Sequence, residues 1–481
     1  MAERQKSHRL VKLRFGYSRE LTLLPNHDRV REGFQGFGFV FSLTSHFQAG
    51  ERTALKFALL ILLVLAVAQA ALAVSAFTPQ ARLGYRTGDQ WEPAIAADGH
   101  GHVYVLYPQY GAVPDCPNCT APTVALIVSN DNGLSWQASR ALLPVATGQF
   151  DPQIVVDPLD RQTVYASWMQ NNKRDIIVAR SLDFGRTWSF SWAERGQTDA
   201  DRPVLAVRGT DVYVGFNHEE QFFVATSHDA GQTFAAVQVN SNAAPGSSLA
   251  GGATVDPAGN VYFGWTAYAR HELPTRPVSI FVSRSADGGR TWNTSLLDVS
   301  SAPPDCDAQS CETGYLGPQI ALASDAAGAL YALWNAGAVN GGPERIYFSS
   351  SITGGASWAE RANVSNAEPG VEHAFPALVA GAAGDVRVAW MDARTPDASQ
   401  VHRQLWNTYY RSSTNGGATW SAETPLSGPV RGYDYILPGG FRFPFGDYFG
   451  LAIDSDGATQ AVWGEGQNYK APGSIWYAQG R

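Results

Sequence analysis

From residue 77 onward the chain repeats one pattern: an apolar run, a polar break at Asp-x-x-Gly or its equivalent, then a strictly alternating aromatic run. The first copy reads PAIAADGHGHVYVLY (93–107) and the second PQIVVDPLDRQTVYASW (152–168). RPVLAVRGTDVYVGF (202–216), GATVDPAGNVYFGW (252–265), PQIALASDAAGALYALW (318–334) and PALVAGAAGDVRVAW (376–390) continue the series. Two short runs with period-2 alternation around a turn predict a hairpin. A third strand follows in each copy (ALIVSND, DIIVARS, FFVATS, IFVSRS, RIYFSS, TYYRSS) and leads into a fixed octapeptide.

That octapeptide occurs six times without gaps: SNDNGLSW (129–136), SLDFGRTW (181–188), SHDAGQTF (227–234), SADGGRTW (285–292), SITGGASW (351–358) and STNGGATW (413–420). Its pattern, S-x-D-x-G-x-[TS]-[WF], predicts a turn. A carboxylate accepts the backbone N–H groups that follow it, and a glycine supplies the positive φ. Asp131, Asp183, Asp229 and Asp287 hold the acidic position, which becomes Thr353 and Asn415 in the last two copies. A fourth strand after each aromatic gives four antiparallel strands per unit, and radial repetition of such units is a β-propeller. A seventh unit (446–478) has three strands and no room for a fourth, while Phe77–Thr87 belongs to no unit. The expected solution is all-β: seven blades over 77–481, the N-terminal strand completing the last blade and covering its edge. Six blades is the alternative.

Charge then divides the chain. The whole carries 35 Lys+Arg and 43 Asp+Glu; residues 1–76 hold a net +5 and residues 77–481 a net −13. An acidic body without a basic stripe excludes nucleic acid as the expected partner, because phosphate binding needs clustered cations. At 44% hydrophobic the chain has enough apolar surface to fold. The break coincides with FALLILLVLAVA (57–68), preceded by Arg52 and Lys56 and closed by small residues up to Ala76. Residues 55–76 therefore read as a signal peptide, with an uncleaved anchor as the alternative. Either places the body outside the cytoplasm, secreted or membrane-anchored. Residues 1–54 show no periodicity and are expected to be a disordered tail or to lie ahead of a true start near residue 50. In an oxidising compartment the local pairs Cys116/Cys119 and Cys306/Cys311 read as loop-stapling disulfides.

The octapeptide is the Asp-box, and the body resembles the sialidase superfamily of BNR-repeat propellers over nearly all of 77–481; AWMDAR (389–394) and FGDYFGLA (445–452) carry a further likeness to secreted propellers of this kind. The resemblance implies a propeller, but the same turn serves enzymes, receptors and non-catalytic modules. A sialidase mechanism requires three arginines on the substrate carboxylate, a tyrosine–glutamate nucleophile pair and an aspartic acid. The family's first arginine sits in Arg-Ile-Pro at the opening blade, where this chain reads RTGDQWEPAI.

With strands running outward from the axis, the boxes share a face with the first turn of each blade. The opposite face is the mouth. Expected ligand residues there are Glu92, Asp151, Arg202, His373, Asp392, Arg394, Arg431, Arg442 and Glu465, a ring of carboxylates with a few arginines suited to a glycan or to Ca2+. The loop GPVRGYDYILPGGFRFPF (428–445) enters the last blade from this face. If the chain cleaves a sialoside, Tyr433, Tyr435 and Tyr448 are the nucleophile candidates, with Asp447 and Arg394 as further catalytic candidates; the alternative for Asp392 and Arg394 is a structural ion pair. Two functions are carried forward. One is a non-catalytic module that binds a glycan or extracellular protein, monomeric and with no cofactor required. The other is an exo-glycosidase of sialidase type acting on an acidic sugar.

Overall fold

In a computed structural model, the structure describes residues 12–15, 19–22, 77–197, 200–218, 221–240, 247–268, 277–301, 318–396, 404–428, 430–431, 446, 448–466 and 473–480. Lys12–Phe15 pairs antiparallel with Arg19–Thr22, Arg14 opposite Glu20 in register. This small hairpin stands where no ordered element was expected; the alternation in KLRF is its local signal.

The body is seven antiparallel sheets in a ring. Blade two shows the plan: Phe150–Val156, Val164–Gln170, Asp175–Ser181 and Ser189–Glu194, in sequence order from the axis outward. Blades three to six repeat it, starting at Asp201, Ser247, Ile320 and His373. Blade one is built around Val103–Tyr110, with its inner strand broken into Asp89–Gln90 and Ala94–Ala97. Blade seven holds Gly450–Ile453, Thr459–Gly466 and Gly473–Gly480, and its fourth strand is Ala81–Leu83 from the other end of the body. Ala81 lies opposite Tyr477 and Leu83 opposite Ile475, so the seventh sheet is closed as the strand count required.

The core is divided into seven apolar clusters, one at each junction between neighbouring blades. Alternation explains this. Val164, Ala166 and Trp168 join the cluster shared with blade one, whereas Tyr165 and Met169 join the one shared with blade three. Leu83, Ile475 and Tyr477 of the closing blade pack with Val103 and Val105 of the first, completing the ring. Second strands are buried on both faces and therefore read as near-continuous apolar runs. At the junction of blades four and five the backbones nearly touch. A Cβ on Gly251 would lie 2.4 Å from the Ile320 carbonyl oxygen, and only glycine fits there.

Each octapeptide forms the turn between third and fourth strands. In the second copy Asp183 Oδ1 accepts from Thr187 N at 2.8 Å and from Ser181 Oγ at 2.9 Å, and Oδ2 accepts from Thr187 Oγ1 at 2.7 Å. These bonds favour the charged carboxylate and hold its pKa down at about 2. Asn415 reproduces the arrangement with Thr419 N at 2.9 Å, and Thr353 keeps only its hydroxyl for Ser357. Two consecutive positions are left-handed, not one: Phe184 and Gly185 have φ of 61° and 75°. This accounts for the Gly-Gly pairs of the later copies. The turns face the first turns of their blades, as Asn132 N donating to Gly101 O at 2.7 Å shows. A second aspartate series supports them from that side. Asp98, Asp256 and Asp325 accept the hydroxyls of Tyr104, Tyr262 and Tyr331 at 2.8–2.9 Å.

Candidate binding mouth

The mouth face is built where the inner strands begin, and the starts of blades two, three and six carry a bulge. Asp151 and Pro152 together face Trp168, Arg202 and Pro203 face Phe216, and Phe375 and Pro376 face Trp390, so two residues oppose one. The residue before each proline is left-handed: Glu92 at φ 51°, Asp151 at 49°, Arg202 at 46° and Phe375 at 56°. For residues with a Cβ this costs on the order of 1 kcal/mol each. The bulges hold Asp151 and Arg202, the break in the inner strand of blade one holds Glu92, and all three side chains are buried.

Arg202 is the centre of this arrangement. It is 4% exposed, and its Nη2 donates to Gln319 Oε1 of blade five at 3.1 Å. Its guanidinium lies over the ring of Tyr448 of blade seven, 5.4 Å from the centroid. Its Nη1 is buried without a hydrogen-bond partner. Arg202, Gln319 and Tyr448 line a cavity of about 200 Å³ on the propeller axis, bounded by the inner strands of all seven blades. Among the described residues, Arg202 is the single arginine of that lining.

Lys173 supplies a second cation, from a loop in which Asn171, Asn172 and Lys173 are all left-handed. Its Nζ is 3.4 Å from Asp201 Oδ1 and 5.5 Å from the ring centroid of Phe150. Partial burial alone would lower its pKa, but the carboxylates of Asp201, Asp151 and Glu92 outweigh that and raise it. Lys173 and Asp201 are both about two-fifths exposed, so the pair meets solvent at the mouth.

Other residues expected at the mouth are engaged in the protein itself. Asp392 is fully buried and accepts from Trp390 Nε1 at 2.9 Å and from Arg394 Nε at 2.8 Å. Arg394 is also bound to Glu423 and stacks on Tyr409, 3.6 Å from the centroid. The pair is thus an internal strap of blade six. His373 is buried, its Nδ1 facing the carbonyl oxygens of Glu344 at 3.0 Å and Val371 at 2.9 Å. Both are acceptors, so Nδ1 carries the proton and Nε2 faces Asp392 Oδ2 at 3.8 Å. Burial lowers the His373 pKa despite Asp392. Glu465 accepts from Trp463 Nε1 at 2.8 Å, and burial raises its carboxyl to about 7. Arg431 is placed only by its backbone, opposite Leu405. Tyr433, Tyr435, Arg442, Asp447, Cys306 and Cys311 lie outside the described residues. The sulfurs of Cys116 and Cys119 are 2.06 Å apart and their Cα atoms 5.4 Å apart.

Lys173, Gln319, Glu344 and Glu423 were not anticipated. Gln319 had a signal, because Pro-Gln-Ile opens both the second and fifth units. Among the described residues no group of three or more His, Cys, Asp or Glu side chains is placed to hold a metal ion. No helix among them is long and apolar enough to cross a membrane.

No family model matches the chain, and no curated protein matches it. Solved structures do. A protein of unknown function from Dyadobacter fermentans is 11% identical with a TM-score of 0.46, covering 85% of this chain and 99% of that one. An ulvan lyase, described as a new family of polysaccharide lyase, is 13% identical with a TM-score of 0.46, covering 82% and 95%. A Hadza microbial sialidase is 14% identical with a TM-score of 0.42, covering 81% and 65%.

Proposed function

We propose that this chain is a propeller of the sialidase-superfamily, Asp-box kind, exported or tethered through residues 55–76, which binds a glycan or an extracellular protein at its mouth without turning it over. The observation that carries the reading is Arg202. A buried guanidinium on a strained backbone keeps one N–H group without a partner beside the axial cavity, while Lys173 and its carboxylates border the opening. Such a site recognises a ligand oxygen by a charge-assisted hydrogen bond. The non-catalytic choice rests on Arg394, which a carboxylate clamp would need and which is committed to Asp392 and Glu423.

The test pairs binding with turnover. The secreted body is screened against a glycan array and against fluorogenic sialosides and aryl glycosides. Array binding that is lost in Arg202→Ala, with no turnover, supports the reading. Turnover that disappears in Tyr448→Phe overturns it in favour of the exo-glycosidase.

A further inference from the structure

Hydrogen bonds run in one direction from Arg202 into the wall of the propeller. Arg202 Nη2 donates to Gln319 Oε1 at 3.1 Å, and Gln319 N donates to Asn335 Oδ1 at 2.9 Å. Asn335 Nδ2 then donates to Glu344 Oε2. A cation thus stands at the donor end and a carboxyl group at the acceptor end. Arg202, Gln319, Asn335 and Glu344 are each no more than 4% exposed, and blade three is linked to blade five across the axis. We propose that Glu344 is a titratable positioning residue for the mouth: its ionised carboxylate fixes the Asn335 amide, Asn335 fixes Gln319, and Gln319 fixes the Arg202 guanidinium that meets the ligand. The proposal rests on Arg202 being the ligand contact.

The chemistry of the Asn335 side-chain amide gives the coupling its direction. An ionised carboxylate is acceptor-only, so it holds the Asn335 NH₂ toward itself and leaves Asn335 Oδ1 for Gln319 N. A proton on Oε2 makes that oxygen a donor and favours the opposite amide orientation. The NH₂ group would then face the Gln319 N–H, donor against donor. At Gln319 the coupling is mechanical: Asn335 Oδ1 holds the Gln319 backbone N–H, and the side chain of the same residue holds Arg202, so a displaced Gln319 backbone moves the acceptor of the guanidinium.

Other titratable groups stand close to Glu344. Its Oε1 is buried without a partner. Its backbone N donates to Glu372 Oε1 at 3.1 Å, and its carbonyl oxygen accepts from His373 Nδ1 at 3.0 Å. Asp392 and Arg394 lie behind His373. Burial raises the Glu344 carboxyl well above the usual carboxylate range, against the weaker lowering by Asn335.

The experiment follows the Arg202 side-chain ¹⁵N signals of the full chain from pH 5 to 9, assigned by their loss in Arg202→Lys. The signal should move with a midpoint above the usual carboxylate range in the unmodified protein and stay flat in Glu344→Gln. In Gln319→Ala it should also stay flat, while a ¹³C-carboxyl signal of Glu344 still titrates. A flat Arg202 signal in the unmodified protein, or one that still titrates in Glu344→Gln, overturns the relay. Affinity for an array-positive glycan is measured over the same range. Loss of affinity by at least threefold between pH 8 and pH 6, abolished in Glu344→Gln, supports the proposal, and pH-independent affinity overturns it. A relay that titrates in a protein retaining no glycan defeats the mouth reading alone.

Discussion

Tyr448 of the seventh blade donates its hydroxyl hydrogen to the carbonyl oxygen of Pro152 in the second, 3.2 Å away. The same ring carries the Arg202 guanidinium on its face. One side chain therefore braces three blades around the mouth. A phenol that donates to a backbone carbonyl is placed as a strut, and its removal should be felt in stability before chemistry.

Replacing Tyr448 by Phe keeps the ring under Arg202 and deletes only that bond. A buried carbonyl oxygen left short of a donor costs about 1–2 kcal/mol. Thermal unfolding should fall by roughly 1–2 °C for a ring of this size. Glycan affinity should stay within twofold, because Arg202 and its cavity are untouched. A loss of affinity above tenfold with unchanged stability would assign the hydroxyl to the ligand instead.

Acid and base should act on different parts of the ring. Glu465 has an ordinary carboxyl pKa of 4.5 when unfolded and about 7 when buried, so between those values the folded protein holds a proton that the unfolded chain has lost. Its contribution is fully present below about 4.5 and is lost as pH rises through about 7, on the order of 3 kcal/mol in all. Glu465→Gln should remove that slope. Measured at pH 5 and pH 8, the unmodified protein should lose several degrees of unfolding temperature that the variant keeps. Equal losses in both would show that Glu465 is ionised in the fold. His373, whose pKa burial lowers, contributes the opposite slope below its unfolded value near 6.5.

At the acid end the octapeptide turns decide. Asp183 and Asp287 are held at about 2, below the unfolded 3.8, so their contribution is present above 3.8 and is lost as pH falls through about 2. Asp183→Ala removes three accepted bonds and should cost about 1 kcal/mol at pH 7. Asp183→Asn should cost less than half as much, because Asn415 accepts from Thr419 N in the same way and only reverses the other bond, its Nδ2 donating to Thr419 Oγ1. Urea unfolding of the two variants checks the order. Equal costs would show that charge, rather than the accepted bonds, holds the turn.

The ring was legible because its turn is written out six times, and a repeated turn fixes the strand on either side of it. Closure was legible too, since three strands after Gly446 demanded a fourth and only Phe77–Thr87 was unassigned. The mouth was harder to read. Glu92, Asp151 and Arg202 were marked by position, yet their left-handed backbones were not, although Glu-Pro, Asp-Pro and Arg-Pro stand in register before the inner strands. A residue before proline is normally read as extended, and the tertiary bulge overrides that preference. The ion pair of Asp392 with Arg394 was legible on one strand, but the second partner of Arg394, Glu423, lies 29 residues further on and was not. Contacts of that kind depend on how neighbouring strands are set against one another, and single-strand alternation is blind to it.

The closing strand makes a last prediction. Ala81, Arg82 and Leu83 pair with Tyr477, Trp476 and Ile475, and Thr78 N donates to Gln479 O at 2.8 Å. The Phe77 ring meets Tyr410 of blade six edge-on, 4.8 Å between centroids. Deleting residues 77–83 would therefore strip the outer edge of Gly473–Gly480, remove Leu83 from the core shared by blades seven and one, and loosen the contact with blade six. A bare edge of eight residues is a template for pairing with another chain. The truncated body should unfold at least 5 °C lower and should associate in a concentration-dependent way on size-exclusion chromatography with light scattering. Supplying residues 77–84 as a separate peptide should restore the monomer, because the edge that needs covering is the one the peptide fits. A truncated protein that stays monomeric with unchanged unfolding would mean that three strands suffice for the last blade, and that the N-terminal strand only rests on a ring already closed by its apolar junctions.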